Sequence, residues 1–144
     1  SAPQIRYPDC YGIDMARLEE FIAFKAALAL HREQETYNDI INSVYQKCVA
    51  SFDFQEDTPP NHVKEIYAPF TDDLISKKIG QILKSEGIKA EVEVLFQKIE
   101  DLHKACPKNL GDWYFSGDYP TLGGHRVVNR AFMNFYEGKS VRAY

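Results

Sequence analysis

The sequence predicts an α+β fold, mainly helical, with about five to six helices and a small two- or three-stranded sheet element. Apolar residues recur at helical spacing in several separate segments, while one segment alternates with the period of a half-buried strand. A length of 144 residues fits a single domain able to bury a substantial core. Apolar residues at 44% and aromatics at 13% favour packing or a large docking surface over disorder.

Residues 1–15 read as an extended segment, because Pro3 and Pro8 would break a helix. The opening has no cap or strand of its own and reads as the continuation of something upstream. Asp14 is placed to cap a helix from about Ala16 to Glu33, whose Leu18, Phe21, Ile22, Phe24, Leu28 and Leu30 cover most of its circumference. Such a helix expects burial on more than one side. Thr36 then caps a second helix with the cleanest period in the chain, formed by Tyr37, Ile40, Ile41, Val44, Tyr45 and Cys48.

Phe52 to Asn61 reads as a loop, with Thr58-Pro59-Pro60 able to open the next helix. Val63, Ile66, Tyr67 and Phe70 form a short apolar stripe. Thr71 caps a further helix with Ile75, Ile79, Ile82 and Leu83 on one face and Gly87 suited to its stop. Val92, Val94 and Phe96 alternate with Glu91, Glu93 and Leu95, as in a strand. A short helix from about Lys98 to Cys106 ends at Pro107. Trp113 and Phe115 alternate around Tyr114 as an extended piece, and a last helix runs from near Arg126 to Gly138. A single strand cannot satisfy its own backbone groups. It needs the N-terminal segment, Trp113–Phe115, or a sheet outside this sequence.

Composition narrows the function classes. The net charge of −4 and the scatter of basic residues, densest at Lys77-Lys78 and at Arg126 and Arg130, disfavour nucleic acid as a partner. The most apolar run, Ala26 to Leu30, is too short for a bilayer and is flanked by Lys25 and His31-Arg32, so no membrane partner is expected. Cys10, Cys48 and Cys106 are too few and too widely spaced for a disulfide framework, and no signal peptide precedes them. A cytoplasmic protein with reduced thiols is the expectation.

No constellation converges on chemistry. Gly123-Gly124 stands alone before His125 and matches no phosphate-binding spacing, so it reads as a flexible entry to the last helix. His103 and Cys106 lie three apart on a helix, but zinc needs three or four ligands and no second close pair exists. Cys106 is expected to fill a helix face. Asp72-Asp73 suit the first turn of a helix, where acidic residues complement the dipole. No G-x-S-x-G is present. No catalytic, cofactor-binding or metal-binding residue is assigned.

Two stretches are more specific. Ser1-Ala2-Pro3-Gln4-Ile5-Arg6-Tyr7-Pro8-Asp9-Cys10-Tyr11-Gly12-Ile13-Asp14-Met15 closely resembles the segment that follows the phosphoribosyltransferase core in amidophosphoribosyltransferases, S-x-P-x-I-x-x-P-x-x-Y-G-I-D. Leu18 to Ala23 is similar to the helix start that comes next there. Val94 to Leu102 looks like the family's late strand and short helix, and Phe115-Ser116-Gly117-Asp118-Tyr119-Pro120-Thr121 resembles its terminal F-x-G-x-Y-P-T. Order and direction agree. About half of the chain is covered; residues 34–70 read as an insertion and 126–144 as a C-terminal extension.

The resemblance implies the C-terminal region of an enzyme of de novo purine biosynthesis, which converts glutamine and phosphoribosyl pyrophosphate to phosphoribosylamine. The family's N-terminal cysteine nucleophile and its acidic phosphoribosyl pyrophosphate loop have no counterpart here, so this chain alone is expected to be inactive. No cofactor is expected in it, the family's magnesium being used with phosphoribosyl pyrophosphate in the parent. Some members hold an iron–sulfur cluster, with cysteines that would fall near Asp9, beside Cys10, and at about Gly111 and Tyr114. The last two positions carry no thiol, so no cluster is expected. The implied partners are the upstream glutaminase and phosphoribosyltransferase domains, with a homo-oligomer as a further candidate. The alternative is a stand-alone helical interaction module that binds through its aromatic surplus. An independent small enzyme ranks last, because no catalytic constellation converges.

Overall fold

The first long helix organises everything else. In the computed structural model, which describes residues 2–8, 17–54, 59–84, 87–108 and 111–143, α1 spans Ile22–Glu33 and buries Ala23, Phe24, Ala26, Ala27, Leu28, Leu30 and His31. Apolar side chains on several faces of a helix demand neighbours on several sides. They are supplied by α2 (Tyr37–Asp53), α3 (Lys64–Tyr67) and α4 (Asp72–Leu83), with α7 (Leu122–Tyr136) laid along α2. Phe24 is fully buried and meets the rings of Phe132 and Phe135 edge-on, at centroid distances of 6.4 and 5.0 Å. The two remaining helices, α5 (Ile99–Ala105) and α6 (Trp113–Ser116), are short and bury no residue fully.

The expected α+β class is corrected: among the described residues there are seven α-helices and no strand. Residues 91–97 belong to no regular element, and from Ile88 to Gln97 the one backbone hydrogen bond made among the described residues runs from Gln97 N–H to the Ala2 carbonyl, 3.1 Å. Alternation alone cannot make a ladder where no second strand pairs with it. Trp113–Phe115, expected to be extended, are helical: the N–H groups of Phe115 and Ser116 both reach the Asp112 carbonyl. Short apolar runs are ambiguous between the two periods.

Other boundaries shift for local reasons. The helix expected from Ala16 is interrupted at Phe21, which is extended and separates a 3-10 turn, Leu18–Glu20, from α1. The tight turn and the bend bring both Leu18 and Phe21 into the core. The Asp14 cap lies outside the described residues, as do Cys10 and Thr58. Thr36 does occupy the N-cap position of α2, yet its side chain makes no capping bond. Its hydroxyl turns to His31 Nδ1 at 2.8 Å, while His31 Nε2–H donates to the Ile66 carbonyl at 2.8 Å. A carbonyl only accepts, so the proton sits on Nε2 and, in the neutral ring, Nδ1 accepts from Thr36.

Thr71 caps α4 as expected, accepting from Leu74 N–H at 3.2 Å. That helix ends at Leu83, before Gly87, and leaves Ile82 and Leu83 exposed while Ile75 and Ile79 are buried. Cys106, expected on a packed helix face, is exposed. The last helix starts at Leu122 rather than near Arg126, so Gly123 and Gly124 lie inside its first turn, with Gly124 buried. No helix among the described residues is long and apolar enough to cross a membrane.

Candidate functional site

The extended segment Ala2–Pro8 sits in the fold as a buried strap. Pro3, Gln4, Tyr7 and Pro8 are buried although none belongs to a regular element. Its polar backbone therefore needs partners outside itself, and they come from Tyr67 and from the last third of the sequence. The N–H groups of Arg6 and Tyr7 share the Tyr114 carbonyl, at 2.9 and 3.2 Å, and the Tyr67 hydroxyl donates to the Arg6 carbonyl at 3.0 Å. The Tyr119 hydroxyl donates to the Pro8 carbonyl, and Gln97 N–H closes the other end on Ala2.

Side chains fix the register of the strap. Gln4 donates through Nε2 to the Asp72 carbonyl and to Ser76 Oγ, both at 2.8 Å. Its Oε1 accepts from Arg6 Nη2 at 2.6 Å, and the same guanidinium pairs with Asp72 Oδ1 at 2.5 Å. Gln4 thereby satisfies its amide nitrogen on α4 and its amide oxygen on Arg6. Arg6 also lies over the Tyr67 ring, 5.1 Å from its centroid.

Behind the strap, Tyr7 and Tyr67 meet edge-to-face at 5.5 Å. Burial pushes both phenols well above their ordinary value, so neither serves as an acid or base near neutrality. Gly117 closes the pocket. It ends α6 at a positive φ of 76°, and a Cβ there would lie 2.6 Å from Asn61 Nδ2 and 2.8 Å from the Tyr7 ring. Asn61 Nδ2 instead donates to the Gly117 carbonyl at 3.0 Å. The glycine in the Phe115–Thr121 stretch is thus required both for its backbone and for its missing side chain.

The residues weighed for chemistry do not converge. His103 Nε2 pairs with Asp112 Oδ2 at 2.9 Å at the partly exposed α5–α6 junction. Among the described residues, no group of three or more His, Cys, Asp or Glu side chains is placed to share a metal ion. Cys48 is buried in the core and its thiol is pushed up to about 12, chiefly by desolvation, which removes it as a nucleophile. Of the Asp72-Asp73 pair, Asp72 is tied to Arg6 and Asp73 is exposed. Lys78 pairs with Glu33 at 2.5 Å.

A concavity lies beside α4 among the described residues. A groove of about 1010 Å³ runs between α4 and residues 91–98, with Gln4 at one end. Gly80 sets its narrow point, where a Cβ would come 2.8 Å from the Val92 carbonyl oxygen. Sequence reasoning assigned no site here. The available signal was a strand-like alternation from Glu91 to Phe96 with no partner strand nearby in sequence. No protein-family model, no curated protein and no solved structure matches this chain.

Proposed function

We propose that this chain is the C-terminal region of an amidophosphoribosyltransferase-like enzyme of de novo purine biosynthesis, working in the cytoplasm as a non-catalytic brace or subunit contact. Support comes from one observation above the others: the stretches that carry the family resemblance, far apart in sequence, lie against one another. Ala2 is bonded to Gln97, and Pro8 to Tyr119. Tyr7 packs where Gly117 makes room for it. Residues whose types match the family pattern at both ends thus have a shared physical task, holding the incoming strap against the helical body.

In that role the glutaminase and phosphoribosyl transfer steps belong to domains upstream, with magnesium held there alongside phosphoribosyl pyrophosphate. This chain supplies positioning, not acid, base or nucleophile. The test is a glutaminase assay on a longer polypeptide that carries this sequence at its C-terminal end. Ammonia release that depends on phosphoribosyl pyrophosphate is expected, and its absence would overturn the assignment.

A stand-alone helical interaction module is the second reading, favoured by the exposure of large apolar side chains such as Phe54, Leu83 and Leu95. It predicts a free chain of 16.5 kDa in cells that captures a partner.

A further inference from the structure

We propose that the cleft holding Ala2–Pro8 is a peptide-recognition site that also accepts the strap of a second copy of this chain, so that two copies exchange straps reciprocally. The proposal uses residues of this chain alone and does not rest on the enzymatic reading above. The strap is held as a bound peptide is held. Its main chain is fixed at both ends, by Gln97 N–H on the Ala2 carbonyl and by the Tyr119 hydroxyl on the Pro8 carbonyl, while the N–H groups of Arg6 and Tyr7 share the Tyr114 carbonyl. Bonds to a peptide's main chain supply affinity, and pockets for single side chains supply specificity.

Three side chains carry that specificity. Gln4 donates to the Asp72 carbonyl and to Ser76, Arg6 pairs with Asp72 and lies over the Tyr67 ring, and Tyr7 fills the space that Gly117 leaves open. The partners are one-sided. The hydrogen bonds and ion pairs described above that leave the strap all go to residues 67–119, and none of them goes to residues 17–54, which follow the strap in the chain. These bonds therefore do not distinguish a strap of the same chain from one brought by a second copy, which is the condition under which exchange costs little.

The helical body keeps a core of its own. Phe24, Ile66, Ile75, Val128 and Phe132 are fully buried, and among the buried apolar residues packed with them the strap contributes Tyr7 alone. Concentration then sets the balance between the two arrangements. A short covalent connection gives a segment of the same chain an effective concentration of about 1 mM. At about 10 µM of chain, roughly one strap in a hundred sits in a second copy, and the share grows with concentration.

Two variants with complementary damage test the exchange. Tyr7→Ala removes the ring from the strap and leaves the cleft intact, whereas Gly117→Ala leaves the strap intact and places a Cβ 2.8 Å from the Tyr7 ring. When the two are refolded together from urea, only an exchanged pair seats an intact strap in an intact cleft. Sedimentation of the mixture at about 100 µM is expected to show a species of twice the 16.5 kDa chain mass, roughly tenfold more abundant than in either variant alone. A mixture as monomeric as its parts overturns the exchange, and so does a dimer equally abundant in each variant alone. Amide hydrogen exchange on the unmodified chain gives a measurement that does not depend on how the variants fold. The Arg6 and Tyr7 amides are expected to exchange on the order of 10-fold faster than amides in the middle of α1 such as Leu28, because the strap leaves its cleft without opening the body. Equal rates, set by global unfolding, would overturn the proposal.

Discussion

Gly117 is the residue on which the strap depends most directly. Its φ of 76° belongs to the left-handed region, and its Cα faces Asn61 and the Tyr7 ring. Gly117→Ala is expected to destabilise the fold by about 2–4 kcal/mol, from left-handed strain plus overpacking. Urea denaturation measures it, and a change within error would mean the strap does not pack as described. Buried acids give a second residue-scale prediction. Cys48 titrates at its ordinary 9.0 in the unfolded chain and at about 12 in the fold, so between these values the unfolded state binds fewer protons. Stability therefore falls as pH rises through that window. Tyr7 and Tyr67, both raised above 10.0 by burial, act in the same direction at higher pH. The urea midpoint is expected to be level near neutrality and to decline from about pH 9 upward, and Cys48→Ala should flatten the first part of that decline. A midpoint level to about pH 11 would contradict the burial of these groups.

At the scale of elements, the helices were legible wherever one period ran long enough. The stripe Tyr37, Ile40, Ile41, Val44, Tyr45, Cys48 became α2, and Thr71 became the cap of α4. Thr71→Ala is expected to cost about 1 kcal/mol, recovered by Thr71→Ser, because the hydroxyl alone accepts from Leu74. Thermal denaturation of the three proteins checks it. Thr36 obeys a different rule. The cap was legible in its position but not in its bonding, since His31 competes for the hydroxyl and lies five residues back on another helix. The strand was misread for a related reason. Glu91 to Phe96 carries the right alternation, but a ladder is a property of two strands, and the element beside it is the helix α4, whose backbone makes no hydrogen bond to it among the described residues. Trp113–Ser116 failed differently, as four residues are too few to separate a period of two from one of 3.6.

For the whole molecule, the core was legible as composition but not as arrangement. That α1 would be covered on more than one side follows from its apolar girth, whereas its covering by α2, α3 and α4 is set by contacts no local pattern carries. The strap was legible as an extended segment through Pro3 and Pro8, but its burial depends on Tyr114, Tyr119 and Gln97, about a hundred residues away in the chain. The groove beside α4 was invisible for the same reason. These long-range bonds give the proposed function its physical content, since they make one unit of the two stretches that resemble amidophosphoribosyltransferases. The mass of the native polypeptide in its source cells, read by immunoblot with an antibody raised against these residues, tests this most directly. A band several times larger than 16.5 kDa is predicted, and a band at 16.5 kDa would contradict it and favour the interaction module.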